Sequence, residues 1–575
     1  MDMPQDPSRW WASVTSLCIQ GVDENEDAYI SDSDVNSLCS DEDECDRKRS
    51  KKEYNPRTAE FITFKFCLGM EFATVEQLRH ALKEYFISND REFVYVMNDQ
   101  LRVRAKCRGK GCPWVLYARQ QKGVDNKSFR VNTLVDRHEC GIVFNNRLVD
   151  STWLGNHFLE QFRMNPSMSF KCFKEMTSKG KYANTTSDAF YRAKKVATEI
   201  LEGSVKEQYA ILEDYCNQIR ATNPGSTAIL KTRMEGDKRY FERVYICLQA
   251  CKEGFNRGCR PLIGVDGCFL KGYCKGMLLA AIGIDAVNAM FPIAYAVVEK
   301  ENKSSWTWFL ELVKEDLQIQ NPHSFCMLSD RQKGLEKALE KLFEGAEIRF
   351  CVRHLHANFK KDYPGLLLKQ MLWAAARATT KEEWRRRMYD FKQISEPAYT
   401  WLSNKAPTEL TESHFKEHVK CDMLCNNLCE SFNAAIIGVR DKTIIILLEK
   451  IRYWLMRIFC TKRESVKKWV HPVGKRILDI IEKNKKVARR CLPTMSTLTT
   501  FEVNFMNIEV FVVDLYKRTC ACRSFQLNGI PCGHALACIW FSNLDVMNFI
   551  DGFYKKVAFE ATYSGAIQPM SSPDK

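Results

Sequence analysis

The clearest apolar pattern lies between residues 258 and 360. Leu262–Val265, Met277–Ile284, Phe291–Val298, Phe325–Leu328 and Ile348–Val352 are apolar runs of strand length. Ser305–Leu317 and Gly334–Phe343, which separate the third, fourth and fifth runs, have helical spacing. Three runs joined by short turns, then alternating helices and strands, predict a mixed α/β sheet. Upstream, Val75–Phe86 has helical spacing, and Phe93–Val96, Leu101–Ala105, Trp114–Ala118 and Phe129–Leu134 read as short strands. Residues 151–257 read as mostly helical, broken at Pro166 and near Asn223-Pro224-Gly225. Helical patterning rich in Trp, Leu and Arg returns over 364–495, and 501–545 reads as a short β-rich, cysteine-bearing module.

Length and charge refine this picture. At 575 residues the chain exceeds the roughly 250–300 that one core sustains, so several domains are expected. Residues 1–46 hold thirteen acidic residues and one basic residue, Arg9, a net −12 against a whole-chain +14, so residues 47–575 carry +26. An acidic segment before a strongly basic body points to a polyanionic partner, most simply nucleic acid. Residues 1–57 are polar and acidic enough to predict disorder. They contain the basic run Arg47-Lys48-Arg49-Ser50-Lys51-Lys52, which reads as a nuclear import signal or a charge-balancing linker. The N-terminal Met1–Arg9 is polar and no apolar stretch follows, so no secretory leader is expected. The 25 cysteines, about 4% of the chain, fall below the roughly 8–10% of a disulfide scaffold. Reduced thiols are expected, and clustered ones become zinc candidates. The apolar stretch Gly276–Val298 contains Asp285, Asn288 and Pro292, so it reads as two buried strands with a turn, not a membrane span.

Three carboxylates stand at places suited to metal chemistry. Asp266 follows the first run of the mixed sheet, Asp330 closes the fourth, and Glu430 enters a helix. If the first and fourth strands are neighbours, both aspartates leave the same sheet end. Carboxylates gathered at one point repel unless cations neutralise them, and Mg²⁺ prefers such oxygen ligands. Two ions about 3.5–4 Å apart could activate a water or 3′-hydroxyl and stabilise the leaving oxygen of a phosphodiester. Spacing alone does not separate this reading from turn-forming aspartates, of which Asp285 is one, and helix-start glutamates are common.

Two sets of cysteine and histidine have ligand spacing. Cys520-x-Cys522 precedes Cys532-x-His534 by nine residues, two close pairs that suit tetrahedral zinc. Val510–Tyr516 supplies a strand before them, and a helix begins at His534. The second set, Cys107-x4-Cys112 with His138-x-Cys140, spans the short strands of the N-terminal region. Arg102, Arg104, Lys106, Arg108 and Lys110 alternate at even positions, so on a strand they would share one face and suit phosphate contacts.

The ordered motifs LIGVDGCFLKG (262–272), AIGIDAVNAMFPIAYAVVEKENKSSWTWFLE (281–311), MLSDRQKGLEKAL (327–339), FCVRHLHANF (350–359) and NNLCESFNAAI (426–436) resemble the Mutator-like (MULE) transposases of plants. The resemblance spans roughly residues 58–545. It implies an RNase H-like core in which Asp266, Asp330 and Glu430 take the three acidic roles with Mg²⁺ or Mn²⁺, and a helical insertion at about 364–425. It marks Asp285 as a decoy. It also implies a Cys-x-x-His pair, here Cys351 and His354, with a structural or DNA-positioning role. The C-terminal set resembles a SWIM zinc finger, and the N-terminal set a WRKY-like zinc DNA-binding domain.

The expected architecture is therefore multidomain α/β, an RNase H-like mixed sheet flanked by small zinc modules. Its expected parts are an acidic tail (1–57), a WRKY-like zinc domain (58–150), a helical linker (151–257), the transposase core (258–440), a helical segment (441–500), a SWIM finger (501–545) and a tail (546–575). The expected partners are double-stranded DNA, at terminal inverted repeats or promoter sites, and further copies of the chain; the expected location is the nucleus. The alternatives are a domesticated transposase acting as a transcription regulator, as in the far-red-light response regulators that share this architecture, and a nuclease of related fold.

Overall fold

The computed structural model describes residues 64–121, 128–143, 146–165, 168–177, 185–203, 205–272 and 275–570. The acidic tail and basic run expected within 1–57 lie outside the described residues. The chain divides at residues 204 and 205 into two units.

In the N-terminal unit, helix α1 (Val75–Ser88) begins where the Thr74 side chain accepts a hydrogen bond from Gln77 N–H. Its Leu78, Leu82 and Phe86, four residues apart, are buried against a five-stranded antiparallel sheet. The strands are β1 (Glu71–Phe72), β2 (Phe93–Asn98), β3 (Arg102–Cys107), β4 (Val115–Gln120) and β5 (Phe129–Val135), in the order β1-β5-β4-β3-β2. Trp114 is fully buried in this core. Four short helices follow: α2 (Ser151–His157), α3 (Leu159–Met164), α4 (Phe170–Thr177) and α5 (Ser187–Glu202). They close a second small core around Trp153, Phe162, Phe173 and Phe190.

The second unit opens with α6 (Val205–Ala210) and α7 (Leu212–Thr222), followed by a correction to the sequence reading. Residues 151–257 are not helical throughout: Thr227–Glu235 (β6) and Lys238–Cys247 (β7) form a hairpin that adds two strands to the central sheet. The physical signal is local. Gly236-Asp237 separates two β-patterned runs, and Gly236 takes φ +60°, as tight hairpin turns require. After α8 (Gln249–Gly258) come β8 (Leu262–Phe269), β9 (Met277–Ile284), β10 (Met290–Val298), α9 (Lys303–Asp316), β11 (Cys326–Ser329), α10 (Lys333–Leu342) and β12 (Glu347–Phe350). The seven-stranded order is β12-β11-β8-β9-β10-β7-β6. β12, β11 and β8 run parallel; the other pairings are antiparallel.

Helices α11 (Val352–Asp362), α12 (Leu366–Arg377), α13 (Lys381–Ile394) and α14 (Glu396–Ser403) stand apart from the sheet around their own core, which includes Phe359, Leu372 and Phe391. The chain returns to the sheet with α15 (Asn427–Ala435) and α16 (Ile444–Lys467), whose Leu448, Ile451, Leu455 and Phe459 join the central core. After α17 (Lys475–Ala488), the C-terminal sheet starts at β13 (Cys491–Met495), inside the stretch expected to be helical. β14 (Thr500–Phe505), β15 (Glu509–Asp514) and β16 (Thr519–Cys520) complete it, with α18 (Ser524–Asn528) and α19 (Gly533–Phe541).

Residues 546–570 also depart from the expected tail. Helix α20 (Lys556–Thr562) lies directly on α8. A Cβ on Gly254 or Gly258 would meet the Thr562 or Ala558 carbonyl oxygen at 2.2 Å, so only glycine permits this approach. Beyond the helix, the Tyr563 hydroxyl donates to Asp285 Oδ2 at 3.0 Å. Asp285 also accepts from Val287 and Ala289 N–H, which makes it a buried turn carboxylate.

Candidate active site and metal centres

Parallel pairing sets the two aspartates side by side. Cys326, Met327 and Leu328 on β11 pair with Leu262, Ile263 and Gly264 on β8; Asp330 just past β11 and Asp266, which lies within β8 and not after it, each come two residues beyond the last pair, and the Asp330 charge acts on Asp266. Asp266 Oδ1 accepts from Gly267 N–H at 2.9 Å, and its Oδ2 accepts from Asn433 Nδ2 at 2.9 Å. Asn433 lies on α15, whose start seats against β8: Asn426 Nδ2 donates to Val265 O at 3.1 Å, and a Cβ on Gly264 would meet Asn426 Oδ1 at 2.8 Å. Burial, reinforced by the Asp330 charge, pushes Asp266 up to about 7, while Gly267 N–H and His354 oppose the rise. Burial also raises Asp330, again opposed by His354.

Glu301 is a further acidic neighbour that sequence reading missed. It accepts from Trp306 Nε1 at 3.2 Å, burial raises its pKa, and its charge bears on Asp266. Nothing in the local sequence separates it from other strand-end glutamates.

Glu430 lies on α15, one turn before Asn433, but pairs with Arg353. Arg353 also donates to Asn427 Oδ1 at 2.9 Å. Among the described residues, the sets of three or more such donors within 4.8 Å of one another are the two cysteine-histidine groups; the acidic trio is not one of them. Cys351 precedes α11 and its Sγ accepts from Asn426 N–H at 3.4 Å. Hydrogen bonding with Cys425 and His354 lowers the Cys351 thiol, while Cys351 and then the two aspartates raise His354. A cationic imidazole so placed offsets part of the aspartate repulsion.

Both expected zinc sets are assembled. In the N-terminal unit, Cys107 Sγ lies 3.4 Å from Cys140 Sγ, and Cys112 Sγ 3.4 Å from His138 Nδ1. A Cβ on Gly109 would strike Cys140 Cβ at 2.4 Å, so the Cys107–Cys112 loop closes only with glycine there. Trp114 stacks on His138 with centroids 5.6 Å apart, and burial lowers His138 to about 4, leaving the neutral ring that ligates metal. In the C-terminal unit, His534 Nδ1 lies 3.6 Å from Cys520 Sγ and 4.0 Å from Cys532 Sγ, with Cys522 completing the set. Cys532 caps α19, its Sγ accepting from Ala535 N–H, and Phe511 stacks on His534 at 3.9 Å. Three thiols and one imidazole at each place are a donor set that zinc takes.

On β3, Arg102, Arg104 and Lys106 are exposed while Val103, Ala105 and Cys107 are buried, so three of the five expected residues share a face; Arg108 and Lys110 are exposed but lie in the turn beyond the strand, which ends at Cys107. Arg102 also pairs with Asp99 at 3.1 Å, and Arg108 with Glu92 at 3.2 Å. The face is wider than those three residues. Arg102 sits opposite Arg119, and Arg119 opposite Arg130, which makes an arginine row across three strands. Like charges directly opposite destabilise a sheet, so the row suits a polyanion.

Three family models match the chain. Residues 63–129 match the MuDR family transposase, 262–358 the MULE transposase domain, and 511–540 the SWIM zinc finger. The MULE match includes Asp266, Asp330, Cys351 and His354, and ends before Glu430. The MuDR match includes Cys107 and Cys112, and the SWIM match holds all four of its ligands. No curated protein matches. Among the described residues, no helix is long and apolar enough to cross a membrane. In chain order, then, the protein carries a MuDR-type DNA-binding segment, a MULE transposase segment and a SWIM zinc finger.

Proposed function

We propose that this chain is a Mutator-like DDE transposase, or a protein derived from one, which binds DNA and carries a metal-dependent strand-cleavage and strand-transfer core. The observation that carries the reading is the placing of Asp266 and Asp330 on adjacent parallel strands, close enough for the Asp330 charge to act on Asp266, with α15 docked on Asp266 through Asn433. The strand sequence β10-β9-β8-β11-β12, three antiparallel strands continued by two parallel ones, supports an RNase H-like core. Asp266, Asp330 and Glu430 would hold Mg²⁺ or Mn²⁺; half-buried carboxylates that repel each other are stabilised in their charged form by a cation, and oxygen donors suit these ions. When bound, the metal would activate the attacking oxygen and stabilise the leaving one. Asn433 and Gly267 N–H hold the Asp266 carboxylate in one orientation, and His354 tempers its charge.

The β3 face and arginine row would grip the duplex in a WRKY-like manner, recognising inverted repeats or promoter sites. Nuclear location rests on the basic run at 47–52. The decisive experiment compares the chain with Asp266→Ala on inverted-repeat DNA in Mg²⁺ or Mn²⁺. Cleavage is expected to vanish while binding persists; undiminished cleavage would overturn the catalytic assignment.

One observation favours a second reading, a DNA-binding regulator without catalysis. Glu430 is bound to Arg353, so the three carboxylates are not gathered. Absence of cleavage by the unmodified chain, with sequence-specific binding retained, would select this reading.

A further inference from the structure

Beside the acidic site lies a cleft of about 1050 Å³. Helix α12 supplies Lys369, Trp373 and Arg377 to one wall, spaced four residues apart and therefore on one face. Arg260 comes from just before β8, Arg353 from α11 and Arg476 from α17, and the zinc-finger module closes a side with Ser524 and Asn528. Five cations thus face two carboxylates, Glu412 and Asp422. Burial, with Asp422 near, pushes Glu412 up to about 8, which leaves it little negative charge at neutral pH.

Two of the cations are already engaged: Arg260 is hydrogen-bonded to Lys420, Tyr554, Asp285 and Asn288, and Arg353 pairs with Glu430. The other three are freer: among the described residues Lys369, Arg377 and Arg476 form no ion pair, and Arg476 donates only to the Asn288 carbonyl oxygen at 2.8 Å. Arg377 lies over the Trp373 ring, 4.9 Å from its centroid. Arg353 is the link to chemistry, because it lines the cleft and pairs with Glu430.

Cations spaced around a half-exposed aromatic are what a single nucleic-acid strand needs: phosphates meet the charges and a base stacks on the ring. The volume is near the upper end of ordinary ligand clefts, roughly 300–1,000 Å³. We propose that this cleft takes a short single-stranded segment of DNA, its backbone on Lys369, Arg377 and Arg476 and a base on Trp373, leading to the carboxylates. This rests on the DNA-handling reading above, but not on retained catalysis.

The test measures anisotropy of a labelled oligothymidylate and of a duplex with the full chain, without divalent metal, across a salt series. Lys369→Glu/Arg377→Glu should weaken single-strand binding at least tenfold. Neutralising two phosphate contacts lowers the slope of log affinity against log salt by about 1.4. Trp373→Ala should weaken it roughly fivefold or more, as loss of one stacked base predicts. Duplex binding should stay within twofold. Arg476→Glu, on a different helix, provides the same readout if the α12 variant does not fold. Unchanged single-strand affinity in these variants would overturn the proposal, and so would an equal loss for single strand and duplex. If polyglutamate binds the wild type as tightly and is lost in the same variants, the cleft reads charge alone and the proposal fails. If the chain cuts no DNA, only the catalytic reading falls, since the binding result is read without metal.

Discussion

The zinc groups and the acidic group are built in opposite ways. Each zinc group brings its four donors within 4.8 Å from short loops and one secondary-structure end. The acidic group draws Asp266 and Asp330 from neighbouring strands, yet its third member turns to Arg353. Thiols and imidazoles can crowd because most are neutral without metal, and the crowded site then folds the module around the ion. Carboxylates repel, so a half-buried acidic site relies on a cationic His354, a tethering Asn433 and an arginine-held Glu430. A closed structural centre and an open reactive one are thus distinguishable by how far assembly proceeds without the ion.

The contrast can be broken most sharply at the zinc. Chelation of the full chain should expose the amides of 491–541 to hydrogen exchange, since structural zinc contributes roughly 10–16 kcal/mol to small modules. Protection that survives complete metal removal would put both centres in one class.

The acidic site should respond instead to pH, on the order of a few kcal/mol. The Asp266 carboxyl has its pKa raised in the folded state from 3.8 to about 7. A raised pKa contributes stability that is complete below the unfolded value and is lost as pH rises to the folded one. Metal-free protein should therefore lose thermal stability between about pH 4 and 7, and Asp266→Asn should flatten the curve. A curve that keeps its slope in that variant would mean another group sets it.

Away from either centre, Gly258→Ala should lower stability by about 1–3 kcal/mol through overpacking of α8 against α20. A denaturant midpoint at the wild-type value would show that α20 is not held there. The smallest effect is expected on the basic face. Arg104→Ala should reduce the salt slope of duplex binding by about 1 and weaken all sequences alike. An unchanged slope would remove β3 from the interface.

Local pattern carried much of the fold. The runs at Leu262, Met277 and Phe325 are strands because they are apolar, short and bounded by turns. The hairpin Thr227–Cys247 was harder to read, since its outer residues alternate less cleanly and its Gly236-Asp237 turn is a two-residue cue. The zinc ligands were legible because chelating pairs lie close in sequence. Arg119 and Arg130 could have been found from strand alternation once β4 and β5 were placed beside β3.

The sequence by itself determined five of the seven strands of the central sheet, both ligand quartets and the alternation of basic residues along β3. Those features depend on neighbours a few residues away. Tertiary structure alone decided that Asp330 stands beside Asp266, that Glu301 and His354 bear on them, that Arg353 holds Glu430, and that α20 returns to α8. Each joins residues distant along the chain. Such contacts depend on strand order and close packing, and helical or strand periodicity carries no record of which distant partner a face will meet.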